Sequence, residues 1–332
     1  MKFKLTDSIK SLMRESASND YQKSLAAMTE FAKALELPLR QGVLDGDILN
    51  GIFEPIDLTE STTNDFPLDF LSPGSEDEFV AYTMPNHGYI PQRNVEGDYV
   101  KVPTYDIAAA IDWLLKYARD ARWDVVGRAM EVMQAQFVKK MNDDGWHTII
   151  SAGVDRNIIV LDSDASAGQF TKRLVSLMKT VMRRNGGGNS TSMNRGMLTD
   201  LYISPEAMED IRNWNVDQVD EITRREIFVS DGENAINRIF GVNLHDLDEL
   251  GEGQEYQLFY SSTLSGTVPS GDLEICVGLD LRRRDSFVMP IREPVQIFTD
   301  ENLHRQRRAG LYGWAEVGFA ALDSRRCLLG SI

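Results

Sequence analysis

The chain has 332 residues, enough to bury one large core or two modest ones without metal or disulfide support, and its 42% apolar content is ordinary for a globular protein. A formal charge of −16 argues against a surface built to neutralise phosphates, because nucleic-acid binding rests on Lys and Arg contacts; any contact with DNA is expected to be weak and blind to sequence. The two cysteines, Cys276 and Cys327, have neither zinc nor disulfide-framework spacing, which implies a reducing compartment and two buried small hydrophobes.

The opening MKFKLTDSIKSLMRES carries two lysines but no apolar signal-peptide core, and no run elsewhere is long enough to cross a bilayer, so neither export by that route nor a membrane role is expected. Residues 1 to 40 place Leu25, Met28, Phe31 and Leu35 at helical spacing. That pattern reads as an amphipathic arm that docks on its own domain. From 41 to 100 the chemistry changes: twelve Asp or Glu stand against one Arg (Arg93) and no Lys, a local charge of −11. Pro55, Pro67, Pro73, Pro85 and Pro91 forbid a long helix there, while EFVAYTM and DYVKV favour short strands flanking PNHGYIPQRNVEG. The stretch is expected to be a two-stranded excursion with an irregular acidic base.

Residues 103 to 141, PTYDIAAAIDWLLKYARDARWDVVGRAMEVMQAQFVKKM, read as one uninterrupted helix. Thr104 is its expected N-cap, and Lys139 with Lys140 complement the dipole at its end. Ile107, Ile111, Leu114, Ala118, Ala121, Val125, Ala129 and Val132 form one stripe, with Asp112/Lys116 and Asp124/Arg128 as i,i+4 pairs on other faces. The heptad step fails at Arg128, which favours a flat support over a coiled-coil twin. Trp123, Val126, Met130, Met133, Phe137 and Met141 add a second apolar arc, so the helix is expected to be covered on two sides.

A polar connector leads to a helix over FTKRLVSLMKTVMRRN with Leu174, Leu177, Met178, Val181 and Met182 inward. A strand MLTDLYI follows, and then SPEAMEDIRNW, whose Ser204 and Pro205 signal a helix start. REIFV, INRIFGVNL, EYQLFYSS and DLEICVGLDL read as short strands, making 166 to 285 a mixed α+β domain. Near the end Leu311, Ala315, Val317, Phe319 and Ala321 alternate with Tyr312, Trp314, Glu316 and Leu322, a strand with one buried face. The long helix is expected to lie across a sheet completed by these strands, joining 101 to 165 and 286 to 332 in one split domain.

Signatures of catalysis are missing from this pattern. NGGGNSTSMN lacks the Lys of a P-loop, and its glycines read as a helix stop and a loop. The four histidines, His87, His147, His245 and His304, have no metal-ligand spacing and read as turn or surface residues. DSDAS and DGEN lack the twelve-residue calcium pattern. Asp246 and Asp248 could do acid/base work, but nothing in the sequence sets their separation in space. Neither a cofactor nor a metal is expected. Arginines cluster at Arg282, Arg283 and Arg284, at Arg305, Arg307 and Arg308, and at Arg325 and Arg326. These read either as a solvated face or as contacts with carboxylates of another subunit.

The succession of arm, acidic excursion, long helix, α+β region and closing strands resembles the tailed-phage major capsid proteins, the Johnson fold. LYISPEAMEDIRNW, RIFGVNLHDL and RAGLYGWAEVGFAALDSRRCLLG are similar to that family's strand and helix start, its strand turn and its closing strands. The resemblance implies an α+β chain with an N-arm (1 to 49), an E-loop (50 to 100), a P-domain with a long spine helix (101 to 165 with 286 to 332) and an A-domain (166 to 285). It implies no enzymatic activity. It implies self-assembly as hexamers and pentamers into an icosahedral virion shell around double-stranded DNA, built in the host cytoplasm with portal and scaffolding or cement proteins as partners. Some members lock the shell by an isopeptide bond from an E-loop lysine, but no Lys occurs between Lys33 and Lys101. A noncovalent shell is therefore expected, with Glu76, Asp77 and Glu78 of the E-loop against Arg282, Arg283 and Arg284 or Arg305, Arg307 and Arg308 of neighbours, Tyr89 and Ile90 as apolar anchors, and Arg93 as a further candidate contact. An encapsulin-type nanocompartment shell or, further off, a cytosolic α+β enzyme are the alternatives.

Overall fold

A computed structural model of the chain describes residues 7–18, 20–46, 48–58, 63–67, 99–120, 123–166, 168–185, 196–214, 237–269, 272–282 and 284–332. In chain order its elements are α1 (Asp7–Glu15), α2 (Tyr21–Gly46), β1 (Glu54–Asp57), β2 (Asp65–Pro67), β3 (Tyr99–Lys101), β4 (Tyr105–Leu114), α3 (Leu115–Arg119), α4 (Trp123–Asp155), β5 (Ile159–Val160), α5 (Lys172–Asn185), β6 (Asp200–Ile203), α6 (Pro205–Asn213), β7 (Asn237–Ile239) and β8 (Val242–Asp246). After these come α7 (Glu255–Leu258), β9 (Ile275–Leu279), β10 (Phe287–Thr299), β11 (Arg308–Val317), β12 (Ala320–Ala321) and β13 (Cys327–Ser331). Two compact units emerge: Met1–Asp65 with Lys101–Gly145 and Val288–Ala320, and Phe66–Val100 with Trp146–Phe287 and Ala321–Ile332. The cuts fall after Asp65, Val100, Gly145 within α4, Phe287 and Ala320, where the sequence reading places boundaries at 49, 100, 165 and 285. Among the described residues no helix is long and apolar enough to cross a membrane.

In the first unit, the strands run in the order β1-β10-β11-β4. The β10/β11 ladder slips between Ile291 and Gln296, around Pro294, which has no N–H to offer. The β11/β4 ladder is unbroken, from Arg308 opposite Leu114 to Val317 opposite Tyr105. Residues 105–114 are therefore a strand, and the single helix expected over 103–141 does not form. The segment fits both periods: Ile107 and Trp113 are buried, while Asp106, Ala108, Ala110 and Asp112 between them are exposed. Three alanines favour a helix locally, but a ten-residue partner strand decides the matter. Several expectations fall with the helix. The Thr104 hydroxyl donates to Glu316 instead of capping, Asp112 pairs with Arg308 instead of Lys116, and Val132 is 45% exposed.

The long helix is real but displaced. α4 has 33 residues, about 50 Å at 1.5 Å per residue. Of the second apolar arc, Met130, Met133, Phe137 and Met141 are buried as read, while the side chains of Trp123 and Val126 lie outside the described residues. Gly313 of β11 makes this seat: a Cβ there would lie 2.9 Å from Met133 Cε and 3.6 Å from Phe137 Cζ. The helix does lie on a sheet completed by the closing strands, as expected. The α2 pattern also holds, with Met28, Phe31 and Leu35 buried and the Phe31 ring edge-on to Trp113 of β4 at 6.5 Å. β2 pairs with β3 at the base of the expected excursion, whose residues 68–98 lie outside the described residues.

In the second unit, the strand order is β5-β13-β9-β6-β8-β7. One sheet face bears Leu201, Ile203, Val242, Leu244 and Cys276, packed against Leu174, Met178 and Met182 of α5 and Ala207, Met208 and Ile211 of α6. Both helices form where the sequence places them. Ser204 caps α6 as read, its hydroxyl accepting from the Ala207 N–H at 3.1 Å and donating to Glu274 at 2.8 Å. The other face is met by Trp146 of α4, edge-on to Tyr202, and Trp146, Ile149 and Ile150 are all fully buried. EYQLFYSS, read as a strand, is instead α7 followed by a π-helical turn, Phe259–Thr263. The reason is that Tyr256, Gln257 and Tyr260 are buried while Leu258 between them is 52% exposed, a helical pattern that strand alternation does not give. Both cysteines are buried, and burial pushes each thiol up to about 12.

Candidate functional site

Charge concentrates at the end of β9. Asp280 has no solvent exposure. Arg282 grips it as a fork, Nε to Oδ1 and Nη2 to Oδ2 at 3.0 Å each. Arg326 Nη1 donates to Oδ2 at 2.7 Å, and the Met197 N–H donates to the same oxygen at 2.9 Å. Burial alone would raise this carboxyl, but the Arg282 bond, the Met197 N–H and both guanidinium charges hold it below the usual carboxylate range. Asp323 forks Arg325 at 2.7 and 3.1 Å in the same manner. Arg325 and Arg326, grouped in the sequence with intersubunit arginines, are buried and paired with Asp323 and Asp280 of their own chain. Their work is to clamp the turn before β13 to the end of β9.

A second polar centre sits on the sheet itself. Asp200 Oδ1 on β6 lies 2.9 Å from His245 Nε2 and accepts from Asn243 Nδ2 at 3.0 Å, both on β8. Burial raises the Asp200 carboxyl, yet bonds from His245, Thr199 and Asn243 prevail and lower it. The Tyr202 ring stacks on His245 at 4.7 Å and meets Trp146 edge-on at the same distance. His245 is thus a sheet residue, not a turn residue, and His147, stacked on Phe259 at 3.9 Å, is held between aromatics. The sequence reading missed this pair although a signal existed. Asp200 and Tyr202, and Asn243 and His245, alternate with apolar neighbours in two short strands, a polar stripe of period two. Asp246 and Asp248 are both exposed. Among the described residues no group of three or more His, Cys, Asp or Glu could hold a metal ion.

The first unit carries an aromatic sheet face. On the face of β11 turned away from α4, Trp314 stacks on Phe298 at 4.4 Å and Tyr312 at 5.6 Å tilts beside it, all three half-buried. Ala110 and Ala108 of β4 stand opposite Tyr312 and Trp314, exposed and too small to hide them. The Arg308–Asp112 pair lies at one end of the sheet and Arg292–Glu316, at 3.8 Å, at the other. This is a smooth aromatic and small-residue face rimmed by ion pairs.

The candidate contact residues fall unevenly on this frame. Glu76, Asp77, Glu78, Tyr89, Ile90, Arg93 and Arg283 lie outside the described residues. Arg284 opens a short 3-10 turn. Arg305 and Arg307 are exposed, Arg307 with φ at 54°, while Arg282 and Arg308 already hold carboxylates of their own chain.

No family model matches the chain, and no curated protein matches it by sequence. Solved structures do match. A chain from Microbacterium phage Oxtober96 superposes with a TM-score of 0.56 at 12% identity, covering 86% of this chain and 90% of that one. A chain of the cyanophage Pam1 capsid asymmetric unit gives 0.54 at 11% identity, covering 85% and 88%. A chain of the capsid of an empty GTA particle gives 0.51 at 14% identity, covering 86% and 90%. The chain therefore has the phage major capsid (Johnson) fold, mixed α+β, over most of its length.

Proposed function

We propose that this chain is the major capsid protein of a tailed phage, a structural and non-enzymatic subunit that tiles with its own copies, as hexamers and pentamers, into an icosahedral virion head around double-stranded DNA. The observation that carries the reading is the fold match, which spans more than four fifths of the chain in each comparison given. The half-covered aromatic face of the first unit supports it, since an apolar sheet face of that kind gains by being covered. The P-domain of this reading centres on the sheet β1-β10-β11-β4 with α4, and the A-domain on β5-β13-β9-β6-β8-β7. Residues 1 to 49 act as the N-arm and 50 to 100 as the E-loop. The acidic E-loop meets arginines of neighbouring copies, with Arg305 and Arg307 among the exposed candidates. Portal and scaffolding or cement proteins complete the particle, which forms in the host cytoplasm.

Expressed alone and concentrated, the chain is expected to sediment far above its 37.4 kDa monomer and to show closed particles in negative stain. A small oligomer at every concentration and salt tried would refute the reading.

A further inference from the structure

Among the described residues, the two ends of the second unit's sheet expose charges of opposite sign. β6 and β8 are parallel, with Asp200 opposite Asn243 and Ile203 opposite Asp246. The two-residue turn between β7 and β8 therefore lies at the sheet end where these strands begin. There Lys179 Nζ donates to the Phe240 carbonyl at 2.5 Å, and Arg238 donates to Asn243 at 2.7 Å. Arg183 and Arg184, both exposed, follow one turn further along α5, a helix without a single carboxylate. Phe240, whose carbonyl Lys179 holds, is 51% exposed. Its φ is 51° and that of Gly241 is 77°, a pair of left-handed conformations that favours Asn-Gly. The turn thus carries an exposed aromatic side chain where local backbone preference asks for a small polar one.

The opposite end of the same sheet has the complementary character. Past β8, exposed Asp246, Asp248, Glu252 and Glu255 come with no intervening Lys or Arg. Leu258 and Leu273, 52% and 46% exposed, lie among them, tied through Gln257, whose Nε2 donates to the Leu273 carbonyl. One end carries an exposed aromatic beside cations, and the other carries exposed leucines beside carboxylates. Apolar centres with charged rims are how specific interfaces are built.

We infer that the Phe240 end of one copy docks on the Leu258–Leu273 end of the next. Because the two ends differ, the contact is head-to-tail, and such contacts close into rings when the rotation allows. This inference rests on the shell-protein reading and specifies which surfaces of the second unit meet around the ring.

Three variants test it against the parent chain, each followed by sedimentation and negative stain, with Tm measured on unassembled protein. Phe240→Asn relieves the backbone, so its Tm is expected to equal or exceed the parent's. The concentration needed for assembly should nevertheless rise roughly tenfold or more. Arg183→Glu with Arg184→Glu should dissociate rings, and adding Glu252→Lys with Glu255→Lys should restore them. If the parent assembles and these variants assemble equally well, the inference is overturned while the shell reading stands. The same holds if charge exchange fails to restore rings, or if the variants assemble normally and lose only retained double-stranded DNA, which would make the patch a DNA contact. A parent that forms no particles removes the shell reading and this contact with it.

Discussion

Asp280 and Glu274 are both buried carboxylates of the second unit, and their surroundings act on them in opposite directions. Removing Asp280 would take from Arg326, 2% exposed, the carboxylate it meets at 2.7 Å. Asp280→Ala is therefore expected to cost about 3–5 kcal/mol, the range for breaking a buried ion pair, in urea unfolding at pH 7. Its carboxyl is held below the usual range, so the folded state binds fewer protons than the unfolded one. Its contribution is complete above the ordinary carboxylate value and is lost as pH falls through the lower folded value. The gap between parent and variant should accordingly shrink below pH about 4. For Glu274, burial raises the carboxyl, opposed by the Ser204 bond and assisted by Glu206, Asp210 and Glu252. Here the folded state holds its proton to higher pH, and stability falls as pH rises through that window. Glu274→Gln keeps an acceptor for Ser204 and removes the charge. It should raise Tm at neutral pH, with the difference closing as pH falls to the ordinary carboxylate range; an unchanged or lower Tm at pH 7 would contradict this.

Two elements owe their positions to competition between local preference and packing. In α4, a Cβ on Gly145 would lie 2.2 Å from Leu49 Cδ1, and Leu49 is fully buried. Gly145→Ala gains about 1 kcal/mol of helix propensity but forces about 1–3 kcal/mol of overpacking. A net loss of Tm is expected, and it should shrink when Leu49→Val is added. In β4, Ala108 and Ala110 are exposed and prefer helix, so the strand forms against its own composition. Ala110→Thr, opposite Tyr312, favours the strand and should stabilise the chain by up to about 1 kcal/mol in urea unfolding. A destabilised variant would show that the outer face of β4 does not tolerate the larger side chain.

At the scale of the whole molecule, the absence of Lys between Lys33 and Lys101 bears on how a shell of such copies holds together. Boiled particles are expected to run on a denaturing gel as one 37.4 kDa band; a ladder of covalent oligomers would contradict the noncovalent shell. Much of the fold was legible beforehand. The inward face of α5, the Ser204–Pro205 start of α6, the alternation of β11 and the burial of both cysteines are written in spacings of a few residues, where backbone geometry alone sets the period. Tertiary structure alone decided the rest. Residues 105–114 satisfy the helical and the extended period at once, and only the presence of β11 as a partner selects the strand. Asp280 and Arg326 stand 46 residues apart in the chain, and Asp200 and His245 stand 45 apart. No local pattern encodes such pairings, because charge finds its partner through space and the sheet order determines which strands lie side by side.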